Sequence, residues 1–239
     1  MRIKISLEKR TFKISIAYQT VLQGLIYNLL AQSNLSDFYH NQGYKYQNKV
    51  FKCFTFSQLF GKYHIDKDKI VFDNMFYFYI SSQDELFLKE IYKTLSKNNY
   101  LLIEHQRVII NQIDLLYPIK PFTGNNKLML QTLSPILICS TTNNYTTYYS
   151  LSDNKSNELI INNIKNKSKA YDYPISNIYF EIQNIVFEKR RMTKYKNCYY
   201  PANLSKFEVL TNYETFLFVY NCGLSSKNSC GFGMIDICQ

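Results

Sequence analysis

Two kinds of apolar spacing alternate along the first half of this chain, and their order limits the fold more than any single residue does. Arg2 to Leu7 alternates with the two-residue period of a half-buried strand, whereas Tyr18, Val21, Leu22, Leu25, Ile26, Leu29 and Leu30 recur at helical spacing. Ser36, a good N-cap, starts a short helical turn that Gly43 stops. Val50 to Ser57 reads as extended. Lys69 to Phe72 and Met75 to Ser81 flank Asp73 and Asn74, residues that tolerate the positive φ of a tight hairpin turn. Ser82-Gln83-Asp84-Glu85 has the form of a capping box, and Leu86, Phe87, Ile91, Tyr92 and Leu95 set a helix behind it. Leu101 to Ile113 adds a strand. The order β-α-β-β-α-β predicts a ferredoxin-like α+β fold, the framework also of RNA-recognition-motif domains.

Pro118, Pro121 and Gly124 punctuate the stretch from Tyr117 to Asn126, which divides the chain into expected domains at 1–117 and 118–239. In the second, Leu128 to Cys139 is strand-like, Asn154 to Ala170 is a polar helix with a thin stripe at Leu159, Ile160 and Ile164, and Ile178 to Met192 is extended. Ser205-Lys206-Phe207-Glu208 reads as another capping box, with Phe207, Leu210, Tyr213, Leu217 and Tyr220 along the helix behind it. That helix would deliver the chain to Gly223, and a last strand follows from Phe232 to Ile237. The two halves share this coarse order, so the expected architecture is two tandem ferredoxin-like domains.

Charge narrows the partner. The formal charge of +10 comes from 28 Lys plus Arg against 18 Asp plus Glu, and favours a polyanion bound through phosphate contacts. The rival, an anionic membrane, finds no apolar run of about 18 residues and no signal-peptide core at the alternating N-terminus, so a cytoplasmic protein with no membrane partner is expected. Cys53, Cys139, Cys198, Cys222, Cys230 and Cys238 show no C-x-x-C spacing, and His40, His64 and His105 are far from any cysteine cluster. No metal site and no cofactor are expected. The stretch from Gly223 to Met234, G-L-S-S-K-N-S-C-G-F-G-M, brackets Ser226, Lys227, Asn228 and Ser229 with glycines, a composition suited to bringing backbone N–H groups against phosphate. It is not a Walker A loop, because Lys227 precedes Gly231 instead of following the last glycine.

If the polyanion is RNA, cleavage needs little equipment. A base takes the proton of a 2′-hydroxyl, an acid protonates the departing 5′-oxygen, and a cation steadies the phosphorane. Histidine suits the proton transfers, tyrosine can orient or donate, and lysine supplies charge. Composition alone leaves open which of the 22 tyrosines and many lysines converge.

The loop closely resembles the C-terminal glycine-rich loop of the CRISPR repeat-cleaving endoribonucleases, G-x-G-x-K-N-S-x-G-F-G-M, departing from it at Ser225. Leu22-Gln23-Gly24-Leu25-Ile26-Tyr27 resembles that family's first-helix motif, and Tyr39-His40 its Leu-His. Phe51-Lys52-Cys53-Phe54-Thr55-Phe56-Ser57 resembles its F-K-x-F-T-F-S strand, and Thr132-Leu133-Ser134-Pro135-Ile136 its second-domain opening. The resemblance implies a catalytic Tyr27, His40 and Lys52, with His40 as base or acid, Tyr27 as its complement and Lys52 as stabiliser. Lys45 and Lys49 are alternative cations, and Tyr27 on an apolar helical face also reads as a core tyrosine.

It further implies RNA contact by Gly223, Ser225, Ser226, Lys227, Asn228, Ser229, Gly231 and Gly233, and by the basic run Lys189, Arg190, Arg191 and Lys194. The expected activity is metal-independent cleavage of CRISPR repeat RNA to 2′,3′-cyclic phosphate and 5′-hydroxyl ends. Repeat RNA is the expected partner, other subunits of an interference complex being further candidates, for a monomer or a homodimer. Two other readings remain: a catalytically inactive repeat-binding subunit, and a general RNA-binding module that stacks bases on Tyr77 and Tyr79.

Overall fold

A computed structural model describes residues 1–238. In its first half β1 (Arg2–Ser15) is followed by α1 (Gln19–Leu29), a π-helical turn (Phe38–Gln42), and a small hairpin of β2 (Tyr44–Tyr46) and β3 (Lys49–Phe51). Then come β4 (Phe54–Phe56), β5 (Phe60–Asp66), β6 (Lys69–Ser82), α2 (Glu85–Ser96), β7 (Tyr100–Ile103) and β8 (Gln106–Leu116). The antiparallel sheet has the order β4-β6-β1-β8-β7, with β5 also on β6. Without the accessory β5 and β7 this is the fourth-first-third-second strand order of a ferredoxin-like unit.

The second half repeats that topology. It contains β9 (Asn125–Thr132), the hairpin β10 (Ile138–Thr142) and β11 (Tyr145–Tyr149), α3 (Ser156–Ala170), β12 (Phe180–Tyr195), β13 (Cys198–Asn212), α4 (Tyr213–Cys222), a 3₁₀ turn (Asn228–Cys230) and β14 (Ile235–Ile237). Its sheet runs β12-β13-β9-β14, the same order read from the other edge. No helix among the described residues is long and apolar enough to cross a membrane.

Several local expectations are corrected. Asp73 and Asn74 do not make a hairpin turn: β6 runs through them, and Asn74, at φ 68°, sits where the register with β1 shifts between Lys9 and Phe12. The hairpin partner of β6 is β5, whose residues are nearly all exposed and therefore carry little alternation to read. Leu101 to Ile113 is a hairpin turning at Glu104 and His105, both at positive φ. The cap of α2 is Asp84, whose side chain accepts from the N–H groups of Leu86 and Phe87.

The largest correction concerns Ser205 to Leu210. They lie in β13, paired on one side with β12 and on the other with β9, with Phe207 and Val209 buried. The helix begins only at Tyr213, capped by Asn212, which accepts from the N–H of Thr215. Two flanking strands satisfy both edges of this segment's backbone, and that outweighs its local helix-start pattern.

One apolar core spans both halves. At their junction the buried Arg2 of β1 donates to the carbonyl oxygens of Tyr220, at 2.8 Å, and Ile235, and lies 3.5 Å from the Asp236 carboxylate. The buried sulfurs of Cys53 and Cys222 meet at 3.9 Å across the same junction.

Candidate active site

Tyr27, His40 and Lys52 come from three elements and converge at the surface. Tyr27 is on the last turns of α1, where burial of Leu22, Leu25, Ile26 and Leu29 fixes the helix and leaves Tyr27 half-exposed. His40 is exposed in the π-helical turn, next to a buried Tyr39 whose hydroxyl donates to Asp84 Oδ2 at 2.5 Å. Successive residues point apart, so anchoring Tyr39 inward turns His40 outward. The Tyr27 and His40 rings meet edge to face, their centroids 5.1 Å apart at 67°.

Lys52 lies between β3 and β4 and donates from Nζ to the His40 carbonyl oxygen at 3.3 Å. Gly43 permits this approach: at φ 79°, a Cβ there would lie 2.7 Å from the Phe51 carbonyl oxygen and 3.0 Å from Lys52 Cδ. Lys45 and Lys49 are exposed on the β2–β3 hairpin, and neither makes a contact to His40 like that of Lys52. Burial pushes the Tyr27 phenol up to about 12, so it keeps its proton in the neutral range. Partial burial lowers Lys52, an effect opposed by the Asp37 charge.

The glycine-rich loop packs against this corner. Gly223, Ser225, Asn228, Gly231 and Gly233 are buried, Ser226 and Ser229 are half-buried, and Lys227 is exposed. Asn228 Nδ2 donates to the carbonyl oxygens of Leu224 and Phe232, both at 3.1 Å, and its Oδ1 accepts from Lys167 Nζ at 3.1 Å. Lys167 also donates to the carbonyl oxygens of Gly223, at 2.5 Å, and Ser225, at 3.3 Å. A Cβ at Gly233 would collide with the Leu224 carbonyl oxygen, and one at Gly231 with the Phe56 ring.

Most of the loop's polar groups close upon the protein, and the loop locks the two halves together. Lys227 is left at the surface, its Nζ 4.9 Å from the centre of the Tyr200 ring.

The basic run is also divided. In β12 Lys189 and Arg191 share the face of Thr193 and Tyr195, whereas Arg190 and Lys194 point the other way, all four being exposed. The Tyr195 hydroxyl donates to Gln23 Oε1 at 2.5 Å, and Gln23 Nε2 donates to the Ser229 carbonyl oxygen at 2.7 Å. Gln23 is one turn from Tyr27, so this chain of bonds joins the hairpin tip and the glycine-rich loop to the helix carrying the tyrosine. His64, exposed on β5 beside Asp73, and His105, in the β7–β8 turn, take no part.

Sequence reasoning missed Lys167, Tyr195 and the Tyr39–Asp84 anchor. Lys167 had a signal: it follows Ile160 and Ile164 on the buried side of α3. Among the described residues no three His, Cys, Asp or Glu side chains cluster as metal ligands.

Comparison with known proteins agrees with this architecture. The family model described as CRISPR associated protein Cas6, C-terminal, matches residues 117–237. The chain is 31% identical to the CRISPR-associated endoribonuclease Cas6 1 of Methanocaldococcus jannaschii, over 98% of this chain and 92% of that protein. It is 25% identical to the CRISPR-associated endoribonuclease Cas6 of Pyrococcus furiosus, over 95% and 85%. A solved structure of a CRISPR associated protein Cas6 superposes with a TM-score of 0.81 at 26% identity, covering 100% of this chain and 99% of that one. The chain belongs to the Cas6 family of CRISPR-associated proteins.

Proposed function

We propose that this protein is an endoribonuclease that cleaves CRISPR repeat RNA within a precursor transcript, without a metal ion. The observation that carries the reading is the convergence of Tyr27, His40 and Lys52, with the two rings 5.1 Å apart and Lys52 Nζ on the His40 carbonyl oxygen. Family membership supports the substrate class. In the proposed reaction a 2′-hydroxyl loses its proton as its oxygen attacks the adjacent phosphorus, and the 5′-oxygen leaves with a proton. The products are a 2′,3′-cyclic phosphate and a 5′-hydroxyl. His40 handles one of these protons, Tyr27 donates or orients, and Lys52 stabilises the phosphorane charge.

The repeat is held by Lys227, Ser226 and Ser229 at the loop surface and by the exposed cations of β12. Gly223, Ser225, Asn228, Gly231 and Gly233 shape that loop from within. Residues 118–239 are proposed as the RNA-holding domain and residues 1–117 as the domain of the reacting groups. The test is cleavage of a repeat RNA from the same genome in excess EDTA, with wild type, His40→Ala, and a substrate bearing 2′-deoxyribose at the cut. Discrete cleavage that survives EDTA and is lost with either change supports the reading; tight binding without a cut points to a non-catalytic repeat-binding subunit.

A further inference from the structure

The π-helical turn does more than expose His40. Asp37, the residue before the turn, accepts at Oδ1 from Asn41 Nδ2 at 2.6 Å and at Oδ2 from Gln42 Nε2 at 2.7 Å. An α-helical turn would bring the residue four places on beneath Asp37; the wider i→i+5 turn lets Asn41 and Gln42 both reach its carboxylate. Gly43, whose N–H donates to the Phe38 carbonyl oxygen at 2.7 Å, closes the turn. These two donated bonds hold the Asp37 carboxyl below its usual range, so it is an acceptor alone at neutral pH.

That fixes the orientation of Asn41. Only its amide nitrogen can face a carboxylate, which leaves the amide oxygen turned toward His40 Nδ1 at 2.7 Å. An amide oxygen has no hydrogen to donate, so Nδ1 must carry the one between them. A neutral imidazole has one N–H, and the lone pair then belongs to Nε2. The titratable groups around His40 are Asp37 on its own turn, Lys52 at its carbonyl oxygen and Tyr27 from α1.

We propose that Asp37 and Asn41 form a relay that fixes neutral His40 as the Nδ1–H tautomer, making Nε2 the nitrogen that exchanges a proton with RNA. Asp37 and Asn41 are positioning residues, and this role rests on the reading of His40 as a proton-transfer group. The relay accounts for the polar composition of Asp37-Phe38-Tyr39-His40-Asn41-Gln42: Phe38 and Tyr39 pack inward, and the other four form the outward network.

The test has a readout independent of cleavage. Long-range ¹H–¹⁵N correlation above the imidazole titration reports the tautomer, with the His40 signals among the three histidines assigned by their loss in His40→Ala. The wild type is expected to show Nδ1–H, and Asn41→Ala a mixture rich in Nε2–H. Single-turnover cleavage should fall about 10-fold or more in Asn41→Ala and Asp37→Ala while repeat binding changes less than about 3-fold.

A wild-type mixture of tautomers, or Asn41→Ala indistinguishable from wild type in both spectrum and rate, overturns the relay. If the tautomer is as expected but His40→Ala cleaves normally, the catalytic reading of His40 falls and the positioning role with it, while the tautomer assignment stands. If His40→Ala is inactive and Asn41→Ala is fully active, the relay alone is wrong.

Discussion

Lys167 Nζ and Asn228 Oδ1 lie 3.1 Å apart with both side chains buried, one on α3 and the other in the middle of the glycine-rich loop. Each completes the other. Asn228 ties two loop carbonyl oxygens through its nitrogen, and the lysine, with two further carbonyl oxygens of its own, occupies the amide oxygen that remains.

Burial lowers Lys167 from the ordinary lysine value of 10.5 to about 8. Between these values the unfolded chain binds the proton and the folded chain does not, so this group's contribution to stability rises with pH, by about 1.4 kcal/mol per unit. Lys167→Met lacks that slope. It leaves three acceptors without their donor, each costing about 1–3 kcal/mol, which outweighs the relief of burying no charge, so a net loss of a few kcal/mol is expected at pH 7. Urea unfolding of both proteins from pH 7 to 10 should show the gap widening above pH 8; a constant gap would contradict the assignment.

Two glycines make opposite predictions. Gly24 in α1 has nothing within 4 Å of an added Cβ, so Gly24→Ala should stabilise the protein by about 0.5–1 kcal/mol. Gly233, at φ 74° and against the Leu224 carbonyl oxygen, should lose several kcal/mol as alanine. Thermal melts of the two variants decide this, and a neutral Gly233→Ala would refute the loop packing described above.

Lys52 is pushed below an ordinary lysine by partial burial, whereas Tyr27 is raised to about 12. The active form of Lys52 is the charged one, so cleavage should decline on the alkaline side at a lower pH than an ordinary lysine would give, with no contribution there from Tyr27. Lys52→Arg, charged throughout, should remove that decline even if its rate at neutral pH is lower. An alkaline limb unchanged in Lys52→Arg would assign the titration to another group.

The two faces of β12 should differ in their hold on RNA. Lys189 and Arg191 share the face of Tyr195, which docks on the helix of Tyr27, and Arg190 and Lys194 do not. Loss of two phosphate contacts from a single strand lowers the slope of log K against log salt by about 1.4. The double variant Lys189→Ala/Arg191→Ala should show that drop in a salt series with repeat RNA, and Arg190→Ala/Lys194→Ala a clearly smaller one. Equal drops would mean that RNA follows both faces.

The strand and helix order of the first half, and with it the ferredoxin-like fold, was legible in the spacing of apolar residues, because a period of two or of 3.6 is a property of neighbouring residues. Motifs likewise picked out Tyr27, His40 and Lys52 without any knowledge of how far apart they stand. Distant partners decided the rest. Ser205 to Leu210 became a strand because β9 and β12 claim both of its edges, although its local pattern reads as a helix start. A polar lysine on α3 became buried because loop carbonyl oxygens more than fifty residues away await a donor. The glycines let the loop close on Asn228 and on the first half of the chain, approaches that only the folded chain brings about. Backbone edges, buried acceptors and close approaches are satisfied or left unsatisfied only in three dimensions, and no local period records them.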